Sequence, residues 1–92
     1  MSNTTPLVGA YTTYSCTINS EAQDAFKEAI DGILGVSYTP VAVSEQLVAG
    51  TNYKFFCNTE AATRYPSNGA AIVSIYKPLK GDAHVTNIQS IN

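Results

Sequence analysis

The stretch QLVAGTNYKFFC, Gln46–Cys57, decides how the chain is built. Ala49-Gly50 is a turn signal, because glycine takes positive φ at little cost. From Thr51 onward the odd positions Tyr53, Phe55 and Cys57 are apolar, while Asn52, Lys54 and Asn58 are polar. Alternation with a period of two is the signature of a half-buried strand. Phe56 breaks it by standing on the polar side. Before the turn, Ser37 to Val48 carries Tyr38, Val41, Val43, Leu47 and Val48, with Pro40 marking an edge or a bulge. The two segments read as a hairpin, and its tip is oddly apolar: Val48 and Ala49 stand where Asn, Asp and Gly are usual.

Working outward, one helix precedes the hairpin. Ser20-Glu21-Ala22-Gln23 reads as a capping box with Ser20 at the N-cap. Ala22, Ala25, Phe26, Ala29, Ile30 and Ile33 then form an apolar stripe, with Asp24, Lys27, Glu28 and Asp31 opposite. Gly32 and Gly35 supply the stop. Such a helix is marginal alone in water and needs a partner surface. Before it, Tyr14, Cys16 and Ile18 alternate with Ser15 and Thr17 as a further strand. Beyond the hairpin, residues 64–69 carry turn chemistry, Ala71, Val73 and Ile75 alternate with Ile72, Ser74 and Tyr76, and residues 77–82 make the next turn. Val85 to Ile91 is a last strand whose Val85, Ile88, Ile91 spacing does not alternate cleanly.

The order is therefore strand, helix, then four strands joined by short turns. Connections of hairpin length join antiparallel strands only. The fold expected is α+β: one amphipathic helix packed on an antiparallel sheet of about five strands, with the opposite sheet face left to water or a partner.

Composition narrows the function. Ninety-two residues make one domain, 1–92. A chain 45% hydrophobic and 13% charged folds rather than staying disordered. Net charge is −2 and the five Lys and Arg are scattered, which argues against nucleic acid, whose binding rests on phosphate neutralisation. No apolar run approaches the roughly 20 residues of a membrane span. The N-terminus does not read as a signal peptide, although a trimmed mature form stays open. Asn3-Thr4-Thr5 matches the glycosylation pattern, a common tripeptide.

An enzyme is not expected. Cys57 and His84 are a thiol and a base, but Cys57 lies on the apolar strand face and reads as an inert core cysteine. Glu45 and Glu60 read as solvated charges at strand ends. The glycines stand singly, so no phosphate loop is present. Cys16, Cys57 and His84 lack the local pairing of zinc ligands, so neither metal nor cofactor is expected. What remains is shape, and an apolar hairpin tip hints at burial against another molecule.

The same residues carry a family resemblance. Gln46, Val48 and Gly50 match the pattern Gln-x-Val-x-Gly, and with Thr51-Asn52-Tyr53 behind them the hairpin resembles that of the cystatins, inhibitors of papain-like cysteine proteases, and of the intracellular stefins in particular. Gly9 after Leu7-Val8 fits the glycine of their N-terminal trunk. Ile75-Tyr76-Lys77-Pro78-Leu79 followed by Gly81 is similar to their second hairpin, and Val85-Thr86-Asn87-Ile88-Gln89 to their final strand. The resemblance spans about residues 7 to 91. Three departures stand: the chain has no Trp, Gly9 is followed by Ala10 rather than a second glycine, and the helix does not copy the family's closely.

The resemblance implies a curved cystatin-like sheet and a reversible competitive inhibitor that needs no catalytic residue. A flexible trunk, residues 1–8, leads to Gly9. Leu7 and Val8 would fill subsites of the protease cleft, and Gly9 would turn the chain away before a scissile bond. Gln46, Leu47, Val48, Ala49 and Gly50 would block the centre, and Pro78, Leu79, Lys80 and Gly81 would press on the far side. It also implies that Cys16 and Cys57 lie two strand spacings apart, about 9 to 10 Å, beyond the roughly 7 Å a disulfide spans. Two free, core-facing thiols are expected, in keeping with a cytoplasmic protein. Two other roles stay open. A cystatin-fold module could bind another protein or peptide through Phe56, Ile72 and Tyr76 on the open sheet face. The 49–50 turn could also open, so that a monomer swaps its helix arm into a dimer.

Overall fold

The computed structural model describes residues 10–61 and 68–91. Helix α1 (Ser20–Ile30) precedes strands β1 (Val36–Val48), β2 (Gly50–Ala61), β3 (Asn68–Lys77) and β4 (His84–Ile91). The strands form one antiparallel sheet in the order β1-β2-β3-β4, with α1 packed on one face. The α+β class, the single helix among the described residues and the meander agree with the sequence. The trunk, 1–8, the glycosylation tripeptide, the site residues Leu7, Val8 and Gly9, and most of the turn expected at 64–69 lie outside the described residues.

The core follows the parity of the sequence. Tyr53, Phe55 and Cys57 of β2 and Ala71, Val73 and Ile75 of β3 are buried, with Ala22, Ala25 and Phe26 of α1 above them. Phe26 meets Phe55 edge-on at 4.9 Å between ring centres, and Tyr53 stacks on Phe55 at 5.6 Å. Burial of apolar area of this kind is the main favourable contribution to folding. On the far face Phe56 sits half-buried in a row with Ala42 and Ile72.

Two bulges explain the irregular strands. In β1 the register jumps between Pro40 and Ala42, so Val41 is the extra residue and stays 37% exposed. In β4, Val85 opposes Ile75 and Asn87 opposes Ser74, leaving Thr86 unpaired. One inserted residue resets the alternation. Val85 and Ile88, three apart, thereby land on the same helix-facing side.

Four expectations need correction. The described sheet has four strands rather than about five. The segment before the helix touches β1 through one isolated bridge, Ser15 to Val43, and through Thr12, whose N–H donates to the Glu45 carbonyl at 2.8 Å. Second, Cys16 is exposed and not core-facing, whereas Cys57 is buried; both are free. The segment is held to β1 by a single bridge at Ser15, so it does not cover Cys16; Tyr14 to Thr17 are exposed, and Ile18 is the residue that packs against the core. Third, the helix cap is Asn19, not Ser20: its Oδ1 accepts from the Ala22 N–H at 2.8 Å. Asn is at least as good an N-cap as Ser. The Gln23 side chain still reaches back, donating to the Ile18 carbonyl. Fourth, α1 ends at Ile30, before Gly32 at φ +88°, so Ile33 falls outside the stripe and is exposed.

Candidate functional site

The turn between β1 and β2 and the loop between β3 and β4 lie at the same end of the sheet. They touch. Val48 opposes Gly50, with Ala49 alone at the turn, and Thr51 opposes Lys77 at the end of β3. Gly50 has φ +109°, and a Cβ built there would stand 2.5 Å from the Lys77 carbonyl oxygen and 3.0 Å from the Pro78 Cα. Both conditions demand glycine: a left-handed backbone and a contact that admits no side chain. Gly50 is therefore the joint between the two tips.

The side chains around this joint are of two kinds. Leu47 is 71% exposed, Val48 43% and Leu79 79%. Ala49, Lys80 and Gly81 are also exposed. Three large apolar side chains held outward at one end of a small domain form a surface that association with an apolar partner would desolvate favourably. Gln46 is different. It lies inside β1, opposite Asn52, whose Nδ2 donates to its Oε1 at 2.7 Å.

Below the tips, toward α1, a cleft of about 490 Å³ is lined by Leu47, Gly50, Tyr53, Pro78 and Leu79, with Glu21, Asp24 and Glu28 on its helix wall. Glu28 ties the second loop to the helix: its Oε1 accepts from the N–H of buried Ala83 at 2.6 Å. Burial pushes the Tyr53 hydroxyl pKa above its ordinary value, and the nearby carboxylates of Glu45 and Glu21 add to this, partly offset by a hydrogen bond with Thr51.

The second loop is braced from within. Lys77 donates from Nζ to the Gly81 carbonyl at 2.5 Å, and Gly81 takes φ +118°. On the face away from the helix, the Tyr76 hydroxyl donates to the Ala49 carbonyl, and its ring packs edge-on against His84 at 5.8 Å.

The described chain starts at this end too. Antiparallel contact of Ser15 with Val43 and of Thr12 with Glu45 runs the segment toward the turn, so Ala10 and Tyr11 approach the tip end. Ser44 Oγ donates to the Thr12 carbonyl, and Lys54 Nζ sits 4.4 Å from the centre of the Tyr11 ring.

Of the residues singled out from sequence, Gln46 to Gly50 and Pro78 to Gly81 are thus brought together. The sequence put Tyr76 on the open sheet face and Asn52 and Lys77 within the matching motifs, but it did not show that these three and Glu28 hold the tips in place. Only Lys77, four residues from Gly81, offered a local signal. The nucleophile alternative gains nothing: burial raises the Cys57 thiol pKa to about 12, and a protonated thiol is a poor nucleophile. Among the described residues no group of three or more His, Cys, Asp or Glu is arranged to hold a metal, and no helix is long and apolar enough to cross a membrane. Compared with protein-family models, curated proteins and solved structures, the chain has no significant match.

Proposed function

We propose that this protein is a reversible competitive inhibitor of papain-like cysteine proteases, built on a cystatin-like fold. One observation carries the reading. The first turn and the second loop pack edge to edge through Gly50, and they present Leu47, Val48 and Leu79 outward along one end of the sheet. Two adjoining tips of this shape fit a cleft better than a flat surface. The described N-terminal segment runs toward the same end, as a trunk entering beside them would require.

In this reading Gln46 is a strand-end residue that Asn52 holds at the rear of the wedge. Val48, Ala49 and Gly50 occupy the centre of the protease cleft. Pro78, Leu79, Lys80 and Gly81 contact its far side, and Leu7, Val8 and Gly9 take the subsites on the near side. Complete burial of a fully exposed aliphatic side chain contributes about 1.5–3 kcal/mol, and the partly covered Leu47, Val48 and Leu79 contribute in proportion to what they still expose. Tips ordered before binding lose little entropy on docking. No proton transfer or covalent step is asked of the inhibitor. Two free cysteines are consistent with action in the reducing cytoplasm.

The test is a titration of the protein into papain with a fluorogenic peptide substrate. Competitive inhibition at or below micromolar protein is expected. A folded protein that leaves the rate unchanged at that concentration sinks the proposal and favours a binding module with another partner.

A further inference from the structure

The apolar tip has a feature that the three wedge segments do not account for. A turn with Ala49 alone at its apex has few means of fixing its own geometry. Here its apex carbonyl is held from outside. The Tyr76 hydroxyl, 27 residues away in sequence, donates to the Ala49 carbonyl. The same oxygen stands where a Cβ on Gly50 would be 3.0 Å from it. Tyr76 therefore lies directly behind the turn, on the face away from α1.

Its own position is fixed by a row of side chains. Gln46, Asn52, Tyr76 and His84 oppose one another in sequence across all four strands. At one end of the row Asn52 donates to Gln46; at the other the rings of Tyr76 and His84 pack edge-on. The next residue, Lys77, points to the other face of β3 and braces the second loop through Gly81. Adjacent residues of one strand thus each hold one tip.

We propose that Tyr76 is a positioning residue for binding: its hydroxyl locks the first tip against the second in the docking-competent arrangement. The inference rests on the protease-inhibitor reading for its functional consequence, but not for its structural one. Without the hydroxyl the Ala49 carbonyl turns to water, and the turn samples conformations in which Val48 and Leu79 no longer share one edge. Binding then has to order the turn, which lowers affinity. Interface changes of this kind are read mostly in the dissociation rate.

The test is Tyr76→Phe, which keeps the ring against His84 and removes only the hydroxyl. The expected result in the free protein is faster amide hydrogen exchange confined to peptides covering 48–51, with global stability falling by no more than the loss of one net hydrogen bond. Against papain, the inhibition constant should rise by about tenfold, a loss on the scale of one net hydrogen bond, chiefly through faster dissociation. Unchanged exchange at 48–51 overturns the latch, whatever the protein does to papain. Faster exchange with undiminished inhibition overturns its role in binding. Should the wild-type protein fail to inhibit at all, the inhibitor reading falls, and the exchange measurement alone decides the latch. Tyr76→Leu is the companion variant. It removes ring and hydroxyl together, and a drop in global stability larger there than in Tyr76→Phe separates packing from positioning.

Discussion

The two tips solve the same problem in different ways. The first, Val48-Ala49-Gly50, is as short as a turn can be and contains no polar side chain. It is fixed by close backbone approach at Gly50 and by one hydroxyl from Tyr76. The second, residues 78–83, is longer and is fixed by charged groups: Lys77 from the strand that enters it and Glu28 from the helix. A short tip tolerates no substitution at its joint, whereas a longer loop spreads its fixation over several bonds. The difference predicts unequal responses to mutation.

Gly50→Ala should be the most damaging change. It forces a side chain into φ +109° and against the Lys77 carbonyl. A strained backbone of this kind costs about 1–3 kcal/mol, and relief of the clash must part the two tips. Equilibrium denaturation should show a loss of about 3 kcal/mol, and inhibition should fall with it. Gly81→Ala shares the positive φ, but its Cβ would meet only Pro78 Cγ at an ordinary 3.4 Å. A smaller loss is expected there. Equal losses would break the contrast between joint and loop.

Val48→Asp is next. Val48 is 43% exposed, so folding should change by no more than about 0.5 kcal/mol. Burying an unpaired carboxylate in a cleft should weaken protease inhibition by about a hundredfold or more. Leu79→Asp, at the more exposed second loop, should weaken it less. An inhibition assay on the pair ranks the tips directly.

Glu28→Ala removes the acceptor from the buried Ala83 N–H, and an orphaned donor of this kind costs about 1–3 kcal/mol. Urea denaturation should register it, with faster exchange near residues 82–84 and none added at 48–51. Lys77→Met is the mildest. The bond to Gly81 is exposed, so stability should fall by less than about 1 kcal/mol and inhibition by only a few-fold.

Much of this was legible in the sequence because it is periodic. Odd-numbered Tyr53, Phe55, Cys57, Val73 and Ile75 are buried as their alternation requires. The readings that failed concern phase and termination. Tyr14, Cys16 and Ile18 alternate, but the segment makes only one bridge to β1, so Tyr14 and Cys16 stay exposed and Ile18 alone of the three packs against the core. Val85 and Ile88 looked irregular because a bulge at Thr86 cannot be read from spacing alone. Asn19 and Ser20 are both good caps, and the extended backbone at Asn19, φ −71° and ψ 171°, decided between them.

The candidate site divides the same way. Turns are made by neighbouring residues with intrinsic preferences, so local order marked the tip at Val48-Ala49-Gly50 and the turn at 77–82, while the sets Gln46 to Gly50 and Pro78 to Gly81 came from the family resemblance. The sequence by itself thus determined the helix, the meander and the apolar character of the first tip. Only the tertiary structure decided that Gly50 is the joint between two loops, that Tyr76 stands behind Ala49 and that Glu28 holds Ala83. Those contacts link residues 27 to 55 positions apart. They exist because sheet register and helix packing bring distant segments within hydrogen-bonding reach, and neither is encoded in any single stretch of chain.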